Sequence, residues 1–143
     1  MDAERITPSI YTGTKNFTQH DVRTANATGF GAAADDYAER GIDLNEELIR
    51  NKPATFFFRM SGDAMVEAGI YDRDILIVDR SIHAANGKVV IAAVNGELLV
   101  RRLEKTINKI RLLADNKKLG PMEVQHDQDF SVWGVVTYTI HAM

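Results

Sequence analysis

The sequence contains no cysteine among its 143 residues. Disulfides, thiolate catalysis and cysteine-ligated zinc are therefore excluded. No apolar run reaches the ~20 residues that a membrane-spanning helix needs. Residues 1–8 also lack the apolar core of a secretory signal. From these absences we expect a cytoplasmic protein that makes no contact with a membrane.

The sequence also has no excess of positive charge, because it contains 17 Lys and Arg residues and 20 Asp and Glu residues, which gives a net charge of −3. This balance argues against a dominant electrostatic grip on nucleic acid. No helix-turn-helix or zinc-finger pattern surrounds the basic pairs Arg101-Arg102 and Lys117-Lys118, so we expect no direct sequence-specific DNA binding. The four histidines show no metal-ligand spacing, and Gly29-Phe30-Gly31 lacks the pattern of a phosphate loop. We therefore expect no metal and no cofactor.

The chain divides into an N-terminal arm, residues 1–31, and a single domain, residues 32–143. The arm is rich in Thr, Asn, Gly and Asp, and its apolar residues follow no period, which is typical of a long loop rather than a core element. Between residues 32 and 50 we expect one or two short helices. Asp43 is placed to cap the second of them, with Glu46 at the capping-box spacing.

From Pro53 onward the pattern predicts strands. Short β-branched or apolar runs separated by turn residues indicate a mostly β, mainly antiparallel domain. Asn95-Gly96 is the dipeptide favoured in a type I′ hairpin turn, because both positions need positive φ. The predicted strands are residues 54–59, 75–78, 88–94, 97–103, 109–113 and 130–140.

The motif Met60-Ser61-Gly62-Asp63-Ala64-Met65 raises a question about chemistry. A Ser-Gly-Asp turn between a strand and a short helix can present a catalytic hydroxyl, yet Ala64 has no oxygen. Judged on composition alone, a plain polar turn is the better interpretation.

A resemblance that runs through the chain changes this interpretation. The chain resembles the LexA/UmuD family of self-cleaving SOS proteins, and residues 33–37, 42–45 and 48–49 are similar to its UmuD-like members. The likeness covers roughly residue 29 to the C-terminus and leaves no room for the helix-turn-helix domain of LexA. The ordered blocks that carry it are SGDAM (61–65), GIYDRDILIVD (69–79), GKVVIAAVNGE (87–97), VRRL (100–103) and VWGVV (132–136).

The resemblance implies a fold, a reaction and partners. The fold would be a LexA/UmuD-type peptidase β domain with short helices and an extended N-terminal arm. In this family a serine is the nucleophile and a lysine on a later strand is the general base. Members of the family form homodimers, and each cuts its own arm before a glycine when RecA filaments stimulate the reaction. The shortened form acts in translesion synthesis with a UmuC-like Y-family polymerase subunit.

Carried over by position, the nucleophile falls on Ala64, the general base on Arg101, and the scissile bond between Thr28 and Gly29, where the family has Cys or Ala before Gly. Alanine supplies no nucleophile, and a guanidinium keeps its proton in proteins. The resemblance therefore implies a chain that does not cleave itself.

Two explanations for Ala64 stay open. One is an engineered Ser→Ala replacement, which the intact flanking residues favour. The other is a naturally inactive pseudoprotease that serves a polymerase as a dimeric regulatory module. The origin of Arg101 is open under both. A third function, signal-peptidase-like cleavage of other proteins, is disfavoured because the sequence has no membrane anchor.

Overall fold

The computed structural model describes residues 8–10 and 41–143. The chain forms two compact units. The described part of the smaller unit is residues 41–52, and that of the larger unit is residues 8–10 and 53–143.

In the smaller unit one short helix, α1, spans Leu44–Leu48. Asp43 caps it, because one carboxylate oxygen accepts the N–H of Asn45 at 3.0 Å and that of Glu46 at 3.4 Å. A carboxylate at this position satisfies backbone donors that have no partner within the helix. The predicted cap is thus confirmed, while residues 32–40 of the predicted helical region lie outside the described residues.

The larger unit is one eight-stranded sheet in which every neighbouring pair is antiparallel, in the order β1-β2-β3-β8-β4-β5-β6-β7. Among the described residues, α1 and two single-turn 3-10 helices, Lys52–Ala54 and Val66–Ala68, are the only helices. The mostly β fold is therefore confirmed. The strands are β1 Pro8–Ile10, β2 Thr55–Arg59, β3 Ile75–Asp79, β4 Val89–Val94, β5 Glu97–Lys105, β6 Ile110–Leu113, β7 Met122–Glu123 and β8 Phe130–Ile140.

The hairpin between β4 and β5 confirms the predicted tight turn. Asn95 has a φ of 49° and Gly96 a φ of 85°, which are the two positive values that a type I′ turn requires. The turn is tied to the loop before β8, because the N–H of Asn95 donates to the carbonyl of Asp129 at 2.8 Å.

Two clusters of buried apolar side chains hold the sheet together, and strand alternation separates them. β5 sends Leu98 and Val100 to the first cluster and Leu99 and Leu103 to the second, as a side-chain period of two requires. Burying one such aliphatic side chain contributes about 1.5–3 kcal/mol. The buried members of the first cluster are Phe58, Met60, Ala64, Met65, Ile70, Leu76, Val78, Ile91 and Val100. Those of the second are Val90, Ala92, Val94, Leu103, Leu112 and Val135.

Within residues 8–10 and 41–143, no helix has the length and apolar character needed to cross a membrane.

Candidate functional site

The Met60–Met65 motif leaves the sheet at a fixed point at the end of β2. The N–H of Met60 donates to the carbonyl of Asp74 at 2.8 Å, and the N–H of Arg73 donates to the carbonyl of Met60 at 2.8 Å. These two hydrogen bonds continue the β2–β3 pairing by one step beyond the last strand residues. The base of the motif is therefore as well anchored as the sheet itself.

The turn that follows needs its glycine. Gly62 has a φ of 96°, a left-handed conformation that glycine adopts without steric cost. Its N–H donates to a carboxylate oxygen of Asp72 at 2.8 Å. Asp72 thus fixes the middle of the Ser-Gly-Asp turn.

Ala64 lies at the inner side of this turn. Only 3% of its surface is exposed, and it belongs to the first apolar cluster. The 3-10 helix Val66–Ala68 begins two residues later, with Met65 at its N-cap. In the described part of the chain, no hydrogen bond uses the N–H of Asp63 or of Ala64. Two adjacent free N–H groups can bind an oxygen that gains negative charge.

A second segment, the clamp (residues 115–117), contacts Met65 at the end of the motif and Glu67 in the 3-10 helix that follows it. The N–H of Glu67 donates to the carbonyl of Asp115 at 2.8 Å, and the N–H of Lys117 donates to the carboxylate of Glu67 at 3.0 Å. The N–H of Asp115 also lies 3.4 Å from the sulfur of Met65. This clamp could not be predicted from the sequence, because an Asp-Asn-Lys-Lys loop carries no pattern that identifies its partner.

The clamp is in turn held to β5 by an ion pair. Nη2 of Arg102 lies 2.6 Å from a carboxylate oxygen of Asp115, and Nε lies 3.1 Å from the same oxygen. The hydrogen bond to Asp115 raises the pKa of Arg102 and outweighs the opposing effect of burial. Nη1 of Arg102 donates to the carbonyl of Gly87 at 2.7 Å. Arg102 therefore joins two loops, at Asp115 and at Gly87, to β5.

Arg101, the predicted base position, lies in β5 opposite Val90 of β4. Its Nη1 donates to the carbonyl of Val100 at 2.9 Å. Val100 packs in the same cluster as Ala64, whereas Leu99 packs in the second cluster. By alternation, Arg101 leaves the strand on the side of Leu99.

Ala64 therefore shares the first cluster with Val100, the residue before Arg101, whereas the side chain of Arg101 leaves β5 on the opposite face of the strand. The assignment of Ala64 and Arg101 to one catalytic pair stays a prediction. Thr28 and Gly29, the predicted scissile bond, lie outside the described residues.

A buried carboxylate supports the turn beneath the motif. Asp74 is 1% exposed, and one oxygen accepts the N–H of Tyr71 and the hydroxyl of Thr139, both at 2.9 Å. Its other oxygen lies 2.6 Å from Nδ1 of His141. Burial acts to raise the pKa of Asp74, but the hydrogen bonds from Tyr71, His141 and Thr139 together lower it. Asp74 is therefore an ionised anchor, and its pairing with His141 has no signal in the sequence pattern.

Comparison with known proteins places this arrangement in a family. A family model described as Peptidase S24-like matches residues 22–137, a region that includes Thr28, Gly29, Ala64 and Arg101. The chain therefore belongs to the Peptidase S24-like family. Within that family it is a LexA/UmuD-type protein, as the resemblance predicted.

Three relatives define the likeness. Protein ImpA of Salmonella typhimurium is 38% identical over 119 residues, which cover 79% of this chain and 77% of ImpA. Protein MucA of Salmonella typhimurium is 34% identical over 115 residues, which cover 80% of this chain and 78% of MucA. LexA repressor 1 of Xanthomonas campestris pv. campestris is 37% identical over 109 residues, which cover 76% of this chain but 54% of the repressor. By family, the scaffold is that of a self-cleaving serine peptidase.

Proposed function

We propose that this chain is a UmuD-like SOS mutagenesis protein whose fold is built to cut itself between Thr28 and Gly29, and that the reaction is blocked at two positions. The observation that carries the proposal is the turn around Ala64. It has the sequence context of the family's nucleophile, and two backbone N–H groups beside Ala64 have no partner among the described residues.

The family reaction needs a hydroxyl that attacks a carbonyl and an amine that accepts its proton. A free lysine has a pKa near ~10.4, so burial must lower that pKa before the amine can act as a base. Ala64 provides a methyl group where the hydroxyl would be. Arg101 provides a guanidinium, which does not give up its proton in proteins. Loss of one member of such a unit can cost about a million-fold in rate, and loss of a second adds little.

With both groups restored, the steps would be as follows. The introduced serine oxygen bonds to the carbonyl carbon of Thr28, and its proton passes to the introduced lysine. The N–H groups of Asp63 and Ala64 bind the oxygen that becomes negative. The bond to Gly29 then breaks, the lysine returns the proton to the new amino group, and water hydrolyses the ester that joins Thr28 to the serine.

The wider role follows from the same family. Residues 1–31 would be the arm that carries the scissile bond, and residues 32–143 the peptidase domain. The chain would act in the cytoplasm as a homodimer, RecA filaments would stimulate cleavage, and the shortened form would serve a UmuC-like Y-family polymerase subunit in translesion synthesis. The similarity to ImpA and MucA over more than three quarters of each chain supports this role.

A second candidate function is a pseudoprotease that is never processed and regulates a polymerase as a dimer. What favours it is that both catalytic positions differ from the family, at Ala64 and at Arg101, while the turn keeps its supporting hydrogen bonds. A selected binding surface would preserve the fold in this way without preserving the reaction.

Four proteins separate the two functions: the unaltered chain, Ala64→Ser, Arg101→Lys and the double variant. Each is incubated with RecA filaments on single-stranded DNA and followed by gel electrophoresis. We expect the double variant alone to be cut efficiently, since the single variants each lack one group. Cleavage of Ala64→Ser alone would show that Arg101 is no block. A folded double variant that stays intact would favour the pseudoprotease.

A further inference from the structure

The peptide unit that joins Asp63 to Ala64 is held by its carbonyl group. The oxygen of Asp63 accepts the side-chain N–H of Asn116 at 2.8 Å and the N–H of Val66 at 3.3 Å. The described part of the chain has no cis peptide bond, and a trans peptide is planar with its C=O and N–H pointing in opposite directions. Fixing the carbonyl of Asp63 therefore fixes the direction of the N–H of Ala64.

Asn116 is itself well fixed. It is 8% exposed, its side-chain oxygen accepts the N–H of Lys118 at 2.9 Å, and its carbonyl accepts the N–H of Leu119 at 3.0 Å. Because the oxygen of the amide is committed to Lys118, its nitrogen is directed at Asp63. The side chain cannot turn over without losing both hydrogen bonds.

The backbone on both sides of Asn116 is anchored as well. Asp115 accepts the N–H of Glu67 and forms the ion pair with Arg102, and the N–H of Lys117 donates to Glu67. A donor on such a supported loop holds its partner more closely than one on a free loop.

We propose that Asn116 is a positioning residue of the self-cleavage site, which aims the N–H of Ala64 at the oxygen that becomes negative during attack. The inference rests on the proposed function and adds a residue to it. In the described part of the chain the side-chain N–H of Asn116 donates to the carbonyl of Asp63, so Asn116 acts through the peptide unit between Asp63 and Ala64. Removing one oxyanion donor outright costs about 100- to 1,000-fold in rate, so misdirecting one should cost about 10- to 100-fold.

The first test uses the chain with Ala64 in place and needs no cleavage. Asn116→Asp replaces the donor with an acceptor yet keeps an oxygen for the N–H of Lys118, and Asn116→Ala removes the donor without adding charge. We expect the NMR order parameter of the Ala64 N–H to fall in both variants, from about 0.85 toward 0.6, while amides of β4 and β8 stay unchanged. Asn108→Asp, in an exposed turn, is the control with the same charge change. An unchanged Ala64 N–H in both variants overturns the inference.

The second test adds Asn116→Ala, which introduces no charge, to the double variant Ala64→Ser and Arg101→Lys. We expect cleavage to slow by about 10- to 100-fold at every pH, with the shape of the pH–rate profile kept, because Asn116 does not act on the base. The urea concentration at the midpoint of unfolding shows whether the loss of cleavage rate comes only from a loss of stability. A loss of rate that follows the loss of stability, or a shifted pH profile, contradicts the inference. If the double variant does not cut at all, the proposed function fails, and the NMR test alone decides whether Asn116 aims the Ala64 N–H.

Discussion

Two aspartates of one turn, Asp72 and Asp74, hold the candidate site through backbone N–H groups rather than through acid–base chemistry. Asp72 binds the N–H of Gly62, and Asp74 binds the N–H of Tyr71. Aspartates favour turns because their side chains bind nearby backbone N–H groups. The contacts of Asp74 with Thr139 and His141 could not be predicted, since those residues are 65 and 67 positions away.

The lowered pKa of Asp74 predicts a contribution to stability that depends on pH. Because its folded-state pKa lies below the ordinary value of about 3.9, the unfolded chain binds more protons in the window between the two. The stabilisation is therefore present above pH ~4 and is lost as pH falls through the folded-state pKa. We expect Asp74→Asn to lower the free energy of unfolding by about 1–3 kcal/mol at pH 7, and by less at pH 3.

Urea unfolding of the parent chain and of Asp74→Asn at pH 7 and at pH 3 checks the predicted difference in the free energy of unfolding. Asp127→Asn, at an exposed loop position, is the matched control and should change little. An equal gap between parent and Asp74→Asn at pH 3 and pH 7 would show that the ionised form of Asp74 is not what stabilises the turn.

Some residues of the candidate site can be recognised from the sequence and others cannot. Ala64 and Arg101 stand out because the blocks around them match a family pattern in fixed order. Asn116 does not stand out, because its partner Asp63 lies 53 residues away and a loop asparagine has no period. Contacts across such a distance depend on strand order, which local pattern does not contain.

At the scale of elements, the sequence predicted the strands that have their own pattern. β3, β4 and β8 are β-branched runs, and each lies within a residue or so of its predicted bounds. β7 has two residues and β1 has three, too few for alternation to show. Such strands form because a neighbouring strand offers backbone partners. For this reason β1 could not be predicted within residues 1–31, where the sequence indicates an arm.

The contact between β8 and β3 offers a test at this scale. A Cβ added at Gly134 would lie 2.6 Å from Cγ1 of Val78 and 3.3 Å from Cγ of Arg80. Val78 is fully buried, so it cannot move aside freely. We expect Gly134→Ala to lower the free energy of unfolding by about 1–3 kcal/mol through overpacking.

Gly120→Ala is the matched control, because a Cβ at Gly120 would meet no atom within 4 Å. Chemical denaturation of both variants checks the prediction, and Gly120→Ala should differ little from the parent. If the two variants are equally stable, the β3–β8 contact is looser than this packing requires.

At the scale of the whole molecule, fold class could be predicted and strand order could not. Short runs with tight turns indicated antiparallel pairing, and every pair is antiparallel. The insertion of β8 between β3 and β4 joins strands far apart in the chain. Nothing in the local pattern of β8 identifies those neighbours.

The proposed homodimer is a prediction at this same scale. The chain has a mass of 15.9 kDa, and we expect sedimentation equilibrium at micromolar concentration to give about twice that mass. The reason is the family resemblance rather than a surface of this chain. A mass of one chain at all micromolar concentrations would contradict the homodimer.

We propose that a site built for a serine and a lysine holds Ala64 and Arg101 instead. The most direct measurement is the intact mass of the product that the double variant Ala64→Ser and Arg101→Lys forms with RecA filaments. We expect a fragment that begins at Gly29, and no such fragment from the unaltered chain. A double variant that folds but yields no fragment, or a cut at another bond, would show that the site is not built for this reaction.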